Sequence, residues 1–248
     1  MSGYEVLSSP FHVGDPLSID LTEEPHRRLT SEPVVLAVVR SVADAVARSA
    51  AEGGRPLVWA GDCVAPLGVV AGLQRSGTEP AGVVWLDAHG DFNTPATSPS
   101  GYLPGMALAL LVGRGDRALR DALGLRAVPE DRVVLAGSRD LDPPEAEALD
   151  GSAITRVPVE GLDEAVRALG DGALYVHIDA DVVDPEDLPG MRYPSPDGPS
   201  AETVVEALRS LTETGRVAAV SLGVTLPDDL ADAATTLAGV TRLRQALG

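Results

Sequence analysis

Short runs of apolar and β-branched residues alternate along the chain with longer segments in which apolar residues recur at helical spacing. Seven of the short runs are predicted strands, at residues 5–7, 57–60, 83–86, 132–136, 153–157, 174–178 and 217–222. The pattern over residues 34–51 predicts a helix that stops at Gly53 and Gly54, and Ser200 is placed to cap a helix that continues to Leu211. This alternation predicts an α/β fold in which helices cover a mainly parallel sheet.

Composition narrows the class of protein. The 248 residues, 44% of them hydrophobic, suffice for one domain over residues 1–248 with a large core. Only 3% of the residues are aromatic, so Val, Ala and Leu must fill that core, as suits a helix-covered parallel sheet. A formal net charge of -18 argues against binding to nucleic acid or to an anionic membrane, because both require basic patches.

Cysteine usage and hydropathy bear on location. Cys63 is the only cysteine, so no intrachain disulfide can form, and we expect a reducing, cytoplasmic environment. No apolar run approaches the length that a membrane span requires, and the first residues do not resemble a targeting segment. The sequence therefore predicts a cytoplasmic protein that acts away from membranes.

Two acidic clusters follow two of the predicted strands. Asp87, His89 and Asp91 come directly after the run at residues 83–86, and Asp179 with Asp181 follows the run at residues 174–178. In an extended segment, residues two apart point to the same side, so each cluster would present its side chains together. Buried carboxylates need a neutralising charge, and carboxylates with an imidazole suit Mn²⁺ or a similar dication. A pair of divalent cations is the simplest solution.

Other features near these clusters leave alternatives open. A single acidic triplet is more often a solvated turn, although two strand-end clusters in one chain are harder to explain that way. The segment at residues 91–105, rich in Pro, Ser, Thr and Gly, is a candidate substrate-binding loop. His177 lies two residues before Asp179 and could orient a ligand or act as an acid or base, whereas a core histidine bonded to a backbone carbonyl is the simpler interpretation.

In combination, several motifs resemble the arginase/agmatinase (ureohydrolase) family. They are Asp-Ala-His-Gly-Asp at 87–91, Asn-Thr-Pro at 93–95, Ser-Gly at 100–101, Gly-Ser-Arg-Asp at 137–140 and Ile-Asp-Ala-Asp at 178–181, with Asp-Pro at 184–185. The resemblance implies a three-layer α/β/α fold, two Mn²⁺ ions that activate a bridging hydroxide, and hydrolysis of the C–N bond of a linear amidine. It also implies a homo-oligomer.

Carried over position by position, the resemblance implies a role for each acidic residue. Asp87 and Asp179 would bridge both metals, Asp91 would complete the shell of one ion, and His89 with Asp181 that of the other. Asp91 would also accept and relay a proton during catalysis. Cys63 stands where the family usually has a histidine, so a thiolate would replace an imidazole and could favour Zn²⁺ or Fe²⁺ at that site. A buried cysteine that binds no metal is the alternative.

Substrate recognition is where the sequence departs from the family. Asn93, Ser100 and Asp142 stand where the family recognises the α-carboxylate and α-amino groups, although ordinary loop capping would explain each of them alone. Pro104 replaces a proton-shuttling histidine, and Val224 replaces a glutamate that pairs with the guanidinium.

Cys63 and the segments at residues 90–95, 101–103, 105–106, 177–179 and 196–198 together resemble most closely one branch of the family, the Nω-hydroxy-L-arginine amidinohydrolases of D-cycloserine biosynthesis. The predicted function is therefore a metal-dependent amidinohydrolase acting on a small guanidino or hydroxyguanidino amino acid. A binding or scaffold protein that has lost this chemistry, and a hydrolase for a non-guanidine C–N bond, are the alternatives.

Overall fold

Seven parallel strands form one sheet, in the order β1-β2-β7-β6-β3-β4-β5. The computed structural model describes residues 5–9, 33–225 and 230–247. The strands are β1 Glu5–Ser9, β2 Pro56–Ala60, β3 Gly82–Leu86, β4 Val133–Ala136, β5 Thr155–Val157, β6 Leu174–Asp179 and β7 Val217–Gly223. Each coincides with a predicted strand, with ends that differ by a few residues.

Helices pack on both faces of this sheet. In the described ranges they are α1 Pro33–Ala51, α2 Ala65–Ser76, α3 Ala107–Leu111, α4 Ala118–Leu123, α5 Pro143–Asp150, α6 Leu162–Ala168, α7 Ala201–Glu213 and α8 Leu230–Ala246. The predicted cap is present, because Ser200 Oγ accepts a hydrogen bond from Thr203 N at 3.1 Å.

Alternation along the central strands divides the core into two layers. On β3, Val83 and Trp85 belong to the apolar cluster that includes residues of α1 and α2, whereas Val84 and Leu86 belong to the cluster that includes residues of α6 and α7. Both clusters are almost entirely inaccessible to solvent. The predicted three-layer α/β/α fold with a parallel sheet is thus confirmed.

Helix α2 packs unusually close to α1 at two glycines. A Cβ atom at Gly68 would lie 2.5 Å from Val39 O, and one at Gly72 would lie 2.6 Å from Ala43 O. The two glycines therefore permit backbone contact between the helices. No described helix is both long enough and apolar enough to span a bilayer.

Candidate metal centre and cavity

The candidate site lies where four neighbouring strands end. Strands β2, β7, β6 and β3 stand side by side and run parallel, so their carboxyl ends meet at one edge of the sheet. Cys63 lies three residues beyond β2, Asp87 directly follows β3, and Asp179 is the last residue of β6. Residues far apart in sequence thus converge at the position where parallel sheets usually bind their ligands.

The segment at residues 87–91 is a tight turn and not an extended strand end. Strand β3 stops at Leu86, His89 N donates a hydrogen bond to Asp87 Oδ1 at 2.8 Å, and Asp91 has a φ of 48°. The prediction that strand alternation points these side chains together is therefore wrong. The turn itself, closed by the Asp87 carboxylate, brings them to one place.

Glu145 stabilises this turn through a hydrogen bond to the backbone directly after it. Its buried carboxylate accepts hydrogen bonds from Phe92 N at 2.7 Å and from Asp142 N at 3.4 Å. A Cβ atom at position 90 would lie 2.7 Å from Glu145 Oε1, so Gly90 is needed for the close approach. Sequence reasoning missed Glu145, although its spacing from Asp142 is that of a helix capping box.

A second turn carries the other two carboxylates. Asp181 lies in a single 3₁₀ turn, Ala180–Val182, and its backbone N donates to Asp179 Oδ1 at 3.0 Å. Strand alternation therefore does not relate these residues either, because Asp181 lies beyond the end of β6. Ala88 N donates to Asp181 Oδ1 at 3.3 Å, so the two turns are bonded to each other.

The ligand atoms form two adjacent groups that share one residue. One group consists of Cys63, Asp87, His177 and Asp179, and the other of Asp87, His89 and Asp181; within each, the ligand atoms lie within 4.8 Å of one another. Cys63 Sγ is 3.0 Å from Asp179 Oδ2, and His89 Nδ1 is 3.2 Å from Asp181 Oδ2. Two cation sites with Asp87 between them fit this arrangement.

Asp91 lies beside these groups without belonging to either. Its carboxylate is buried, and its Oδ2 atom has no hydrogen-bond partner in the described part of the chain. A buried carboxylate oxygen with no partner is costly, so a cation or a polar ligand near it would stabilise the folded protein.

The described residues neutralise little of the negative charge of these buried carboxylates. Burial raises the pKa of Asp91 and of Asp179 well above 3.8, and nearby carboxylates raise both further. Burial, followed by the charge of Asp91, likewise raises the pKa of the Cys63 thiol. Burial opposes protonation of His89, but hydrogen bonds to Asp181 and Asp87 outweigh it and raise its pKa to about 12. The centre carries an excess of negative charge that divalent cations would neutralise.

We expect a pH-dependent stability difference between the metal-free native protein and its Asp181→Asn variant. Burial and the charge of Asp87 raise the pKa of Asp181 from 3.8 to about 6. The folded state therefore holds this proton more tightly than the unfolded chain does, and Asp181 destabilises the native fold increasingly as pH rises from about 4 to about 6. The variant should match the native protein near pH 4 and be more stable at pH 7 by about 2 kcal/mol.

Thermal unfolding in the presence of a chelator measures this difference. His177, whose pKa burial lowers to about 4, contributes with the opposite sign, but it is present in both proteins and cancels. An Asp171→Asn variant, altered at an exposed residue, should track the native protein at every pH. A difference between native and Asp181→Asn that does not vary with pH would contradict the prediction.

Apart from His177, the members of the two groups line a cavity of about 240 Å³. Asn93, Ser100 and Asp142, the predicted substrate-binding residues, all line it. Asn93 Nδ2 donates to Asp142 Oδ2 at 2.9 Å, while Asn93 Oδ1 is buried without a partner in the described ranges. Ser100 Oγ accepts from Tyr102 N at 3.2 Å, and Asp142 is the N-cap of α5. Each of the two therefore has a local structural contact as well as access to the cavity.

Two tyrosines that sequence reasoning missed form part of the cavity wall. The rings of Tyr102 and Tyr193 lie 5.6 Å apart and are tilted, and Tyr193 is 41% exposed. Burial, together with the charge of Asp62, raises the pKa of the Tyr102 hydroxyl. Lone tyrosines in Pro- and Gly-rich loops gave no spacing signal, so only the fold brings them together.

Arg139, from the Gly-Ser-Arg-Asp motif, fastens the turn that carries Asp181 to a neighbouring loop. Its Nη2 donates to Asp181 O at 3.1 Å and to Ser195 O at 2.7 Å, and its Nε donates to Pro196 O at 3.0 Å. Its Nη1 donates to the carbonyls of Val182 at 3.0 Å and Gly137 at 3.1 Å. One guanidinium thus holds three stretches of backbone together.

Comparison with known proteins identifies the family to which the chain belongs. The sequence profile of the arginase family matches residues 12–248. The chain belongs to the arginase family. It is 29% identical over 249 residues to the arginase of Neurospora crassa, covering 91% of this chain and 70% of that protein. It is 35% identical over 190 residues to the arginase of Bacillus caldovelox, covering 70% of this chain and 62% of that protein.

A solved structure of the arginase from Bacillus subtilis has the same fold. It superimposes with a TM-score of 0.83 at 26% sequence identity, covering 99% of this chain and 98% of that one. The predicted membership in the arginase family is therefore confirmed, and the candidate ligand groups lie in a fold that this family uses. Closeness to the hydroxyarginine branch stays a prediction.

The structure shows what surrounds the residues that depart from the family pattern. Pro104 begins the 3₁₀ turn Pro104–Met106 and lines the cavity. Val224 packs into the apolar cluster behind the sheet, and its neighbour Thr225 lines the cavity instead. Cys63 also lines the cavity, and its sulfur belongs to a ligand group. Two of the three departures thus face the site, and the third removes a charge from it.

Proposed function

We propose that the chain is a metal-dependent hydrolase that cleaves a C–N bond of a linear amidine carried by a small amino acid. One observation carries the proposal: two ligand groups share Asp87, and their members apart from His177 line a cavity with a strongly acidic wall. Apart from His89, the described residues that line this cavity include no basic side chain. A cationic amidine or ammonium group would be attracted to such a wall.

Two divalent cations fit the donors that are present. We infer that Cys63, Asp87 and Asp179 would hold one ion and that Asp87, His89 and Asp181 would hold the other. Asp179 and Asp91 lie beside these donors and would complete the shells of the ions. Mn²⁺ suits the oxygen-rich group, whereas Zn²⁺ or Fe²⁺ suits the group with sulfur. Bound there, such ions would supply Lewis acidity that lowers the pKa of a water molecule to near neutrality.

Asp91 is the protein group proposed to carry protons, and His177 is the alternative. The unpartnered Oδ2 of Asp91 lies at the cavity, where it could accept a proton from the attacking water and deliver it to the leaving nitrogen. His177 also has an unpartnered ring nitrogen, but its ring does not line the cavity. The geometry therefore favours Asp91 as the proton carrier.

Asn93, Ser100 and Asp142 are proposed to recognise the amino-acid end of the substrate. Asp142 supplies negative charge for an ammonium group, and Ser100 supplies a hydroxyl for a carboxylate. The hydrogen bond between Asn93 Nδ2 and Asp142 Oδ2 keeps these groups in one orientation and leaves Asn93 Oδ1 available.

The apolar position of Val224 bears on which amidine is bound. The residue lies in the core, where it cannot pair with a cationic guanidinium. A hydroxyguanidine is less basic than a guanidine, because the electron-withdrawing hydroxyl disfavours the protonated form. We therefore propose Nω-hydroxyarginine-like compounds as the preferred class, with hydroxyurea and ornithine as products.

A panel of substrates tests the proposal. Metal-stripped protein, reloaded with Mn²⁺, Zn²⁺ or one of each, is assayed for amine release from guanidino, hydroxyguanidino and formimino amino acids. Turnover of hydroxyguanidino compounds ahead of guanidino ones is expected. Turnover only of non-amidine amides would favour a hydrolase for another C–N bond. No turnover of any compound by fully loaded protein would favour the scaffold alternative, which Cys63, Pro104 and Val224 motivate.

An Asn93→Ala variant checks the proposed orientation of the substrate. Loss of one hydrogen bond to a charged group should raise KM for the preferred amino acid by roughly 10- to 100-fold, with a smaller change in kcat. The matched control is the same substrate without its α-amino group, the donor that Asn93 Oδ1 would accept from, and for it native and variant should differ little. Equal effects on both substrates would mean that Asn93 acts on the loop and not on the amino-acid end.

The proposal includes the assembly state and the cellular location of the protein. We propose that the protein forms a homo-oligomer in the cytoplasm and binds small molecules rather than nucleic acid or membrane. Size-exclusion chromatography with light scattering measures the assembly state, and a monomer at micromolar concentration would contradict this part alone.

A further inference from the structure

We propose that His177 binds a metal ion directly through Nε2, at the site formed by Cys63, Asp87 and Asp179. The turn after β2 carries Cys63 and no histidine, so strand β6 would supply the imidazole. This inference rests on the proposed two-cation site and deepens it. It makes the two sites chemically unlike, because one would have sulfur, nitrogen and oxygen donors and the other only nitrogen and oxygen.

The first support is the state of the imidazole itself. His177 is fully buried, its Nδ1 lies 2.8 Å from Ser221 Oγ, and its Nε2 has no partner in the described part of the chain. Leaving a buried polar nitrogen unpaired costs about 1 to 3 kcal/mol. A core histidine kept only for packing would not be expected to carry that penalty.

The second support is that four ligand atoms lie close together. The ligand atoms of His177, Cys63, Asp87 and Asp179 all lie within 4.8 Å of one another. Donors around a tetrahedral zinc ion, at about 2.0 to 2.3 Å from it, are separated by roughly 3.5 Å. Small side-chain adjustments would therefore bring all four onto one ion.

The third support is the way the imidazole is held. Ser221 Oγ lies between His177 Nδ1 and the hydroxyl of Tyr175, which is 2.6 Å away. If Nδ1–H donates to Ser221, Nε2 presents its lone pair to the ligand group, as in most histidine ligands of metals. The indole of Trp85 packs 4.2 Å from the imidazole and donates to Asp87 Oδ2 at 3.1 Å, so it orients two members of the group together.

The donor set predicts which ion binds. One thiolate, one imidazole and two carboxylates are donors of the kinds that Zn²⁺ binds, whereas Mn²⁺ favours more oxygen ligands. We therefore expect the Cys63 group to take Zn²⁺ first.

X-ray absorption of the native chain tests the assignment without any substitution. Metal-stripped protein is loaded with one Zn²⁺ per chain, and the expected shell contains one sulfur at about 2.3 Å and one imidazole nitrogen at about 2.0 to 2.1 Å. A shell with sulfur and no imidazole would overturn the role of His177. An imidazole without sulfur would overturn the proposed donor set.

Variants provide the second readout. In His177→Ala the affinity of the tighter Zn²⁺ site should fall by about 100-fold or more, and the ligand-field spectrum of bound Co²⁺ should change. Val176→Ala, a matched control on the same strand whose side chain lies in the apolar cluster on the other face of the sheet, should bind Zn²⁺ within a few-fold of native. Native-like affinity and an unchanged spectrum in His177→Ala would refute direct ligation. None of these measurements uses a substrate, so failure of amidine turnover would leave the assignment standing and count against the proposed function alone.

Discussion

The Asp179→Asn substitution is expected to abolish turnover while making the metal-free protein more stable. Asp179 belongs to the ligand group with Cys63, and its Oδ1 also accepts from Asp181 N at 3.0 Å. Asparagine can keep that hydrogen bond, so the turn should survive while a charged ligand is lost. Because Lewis acids contribute several kcal/mol to such reactions, turnover should fall by roughly 10³-fold.

The gain in stability follows from the electrostatics of the same residue. Burial, with the charges of Asp181 and Asp87, raises the pKa of Asp179 well above 3.8, so its ionised form destabilises the metal-free fold near neutral pH. Removing the charge should raise the melting temperature without metal and reduce the increase that metal produces. The sign of the variant's effect on stability therefore reverses between chelator and saturating metal.

Calorimetry with chelator and with saturating metal measures this reversal, alongside counts of bound ions and turnover. The Asp171→Asn control changes an exposed carboxylate and should behave as native in each measurement. Turnover of Asp179→Asn within tenfold of native would show that Asp179 is not a ligand of the reacting site. A melting temperature lowered in both conditions would mean that it serves the fold instead.

Restoring a histidine at position 63 is expected to change the metal preference of the protein. The native sulfur lies 3.0 Å from Asp179 Oδ2 and 3.9 Å from Asp87 Oδ2, within the ligand group. A thiolate is a soft donor that favours Zn²⁺ over Mn²⁺, whereas imidazole and carboxylates accept either ion. In Cys63→His the ratio of Zn²⁺ to Mn²⁺ affinity should fall by about 100-fold, as measured by competition titration.

Proton release gives an independent check on Cys63. Burial and the neighbouring carboxylates raise the pKa of its thiol, so the metal-free chain holds the proton at neutral pH. Zn²⁺ uptake by the native protein should therefore release a proton that Cys63→Ser does not release, and this difference should be measurable in buffers of different ionisation enthalpy. Cys63→Ser should also lose Zn²⁺ affinity without gaining affinity for Mn²⁺. An unchanged metal preference in both variants would identify Cys63 as a packing residue.

Sequence reasoning located the site better than it described its geometry. Apolar runs identified the strands, and the rule that parallel strands end at one sheet edge brought Asp87 and Asp179 together. Strand alternation does not extend to His89 and Asp181, because both lie in turns closed by aspartate side chains. Such turns depend on individual hydrogen bonds that no periodicity records.

The sequence pattern did not predict the position of several other residues of the candidate site. Tyr193 and Thr225 reach the cavity from segments with no motif, and their position depends on how long loops pack. His177 was singled out by its spacing from Asp179, but its unpartnered nitrogen is visible only when Ser221, on a different strand, is placed beside it. Pairings across strands are set by tertiary structure, which a single sequence does not specify.

Every hydrogen bond that Arg139 makes to the loop at residues 195–196 goes to a backbone carbonyl, and the same holds for its bonds to the turn at Asp181. Backbone carbonyls are supplied by any amino acid, so substitutions at Tyr193, the residue near this loop that lines the cavity, could alter the cavity wall while the chain path stayed the same. Substrate preference could then drift over evolution without disturbing the acidic turn. Laboratory libraries aimed at new substrates should therefore randomise Tyr193 and keep Arg139 unchanged.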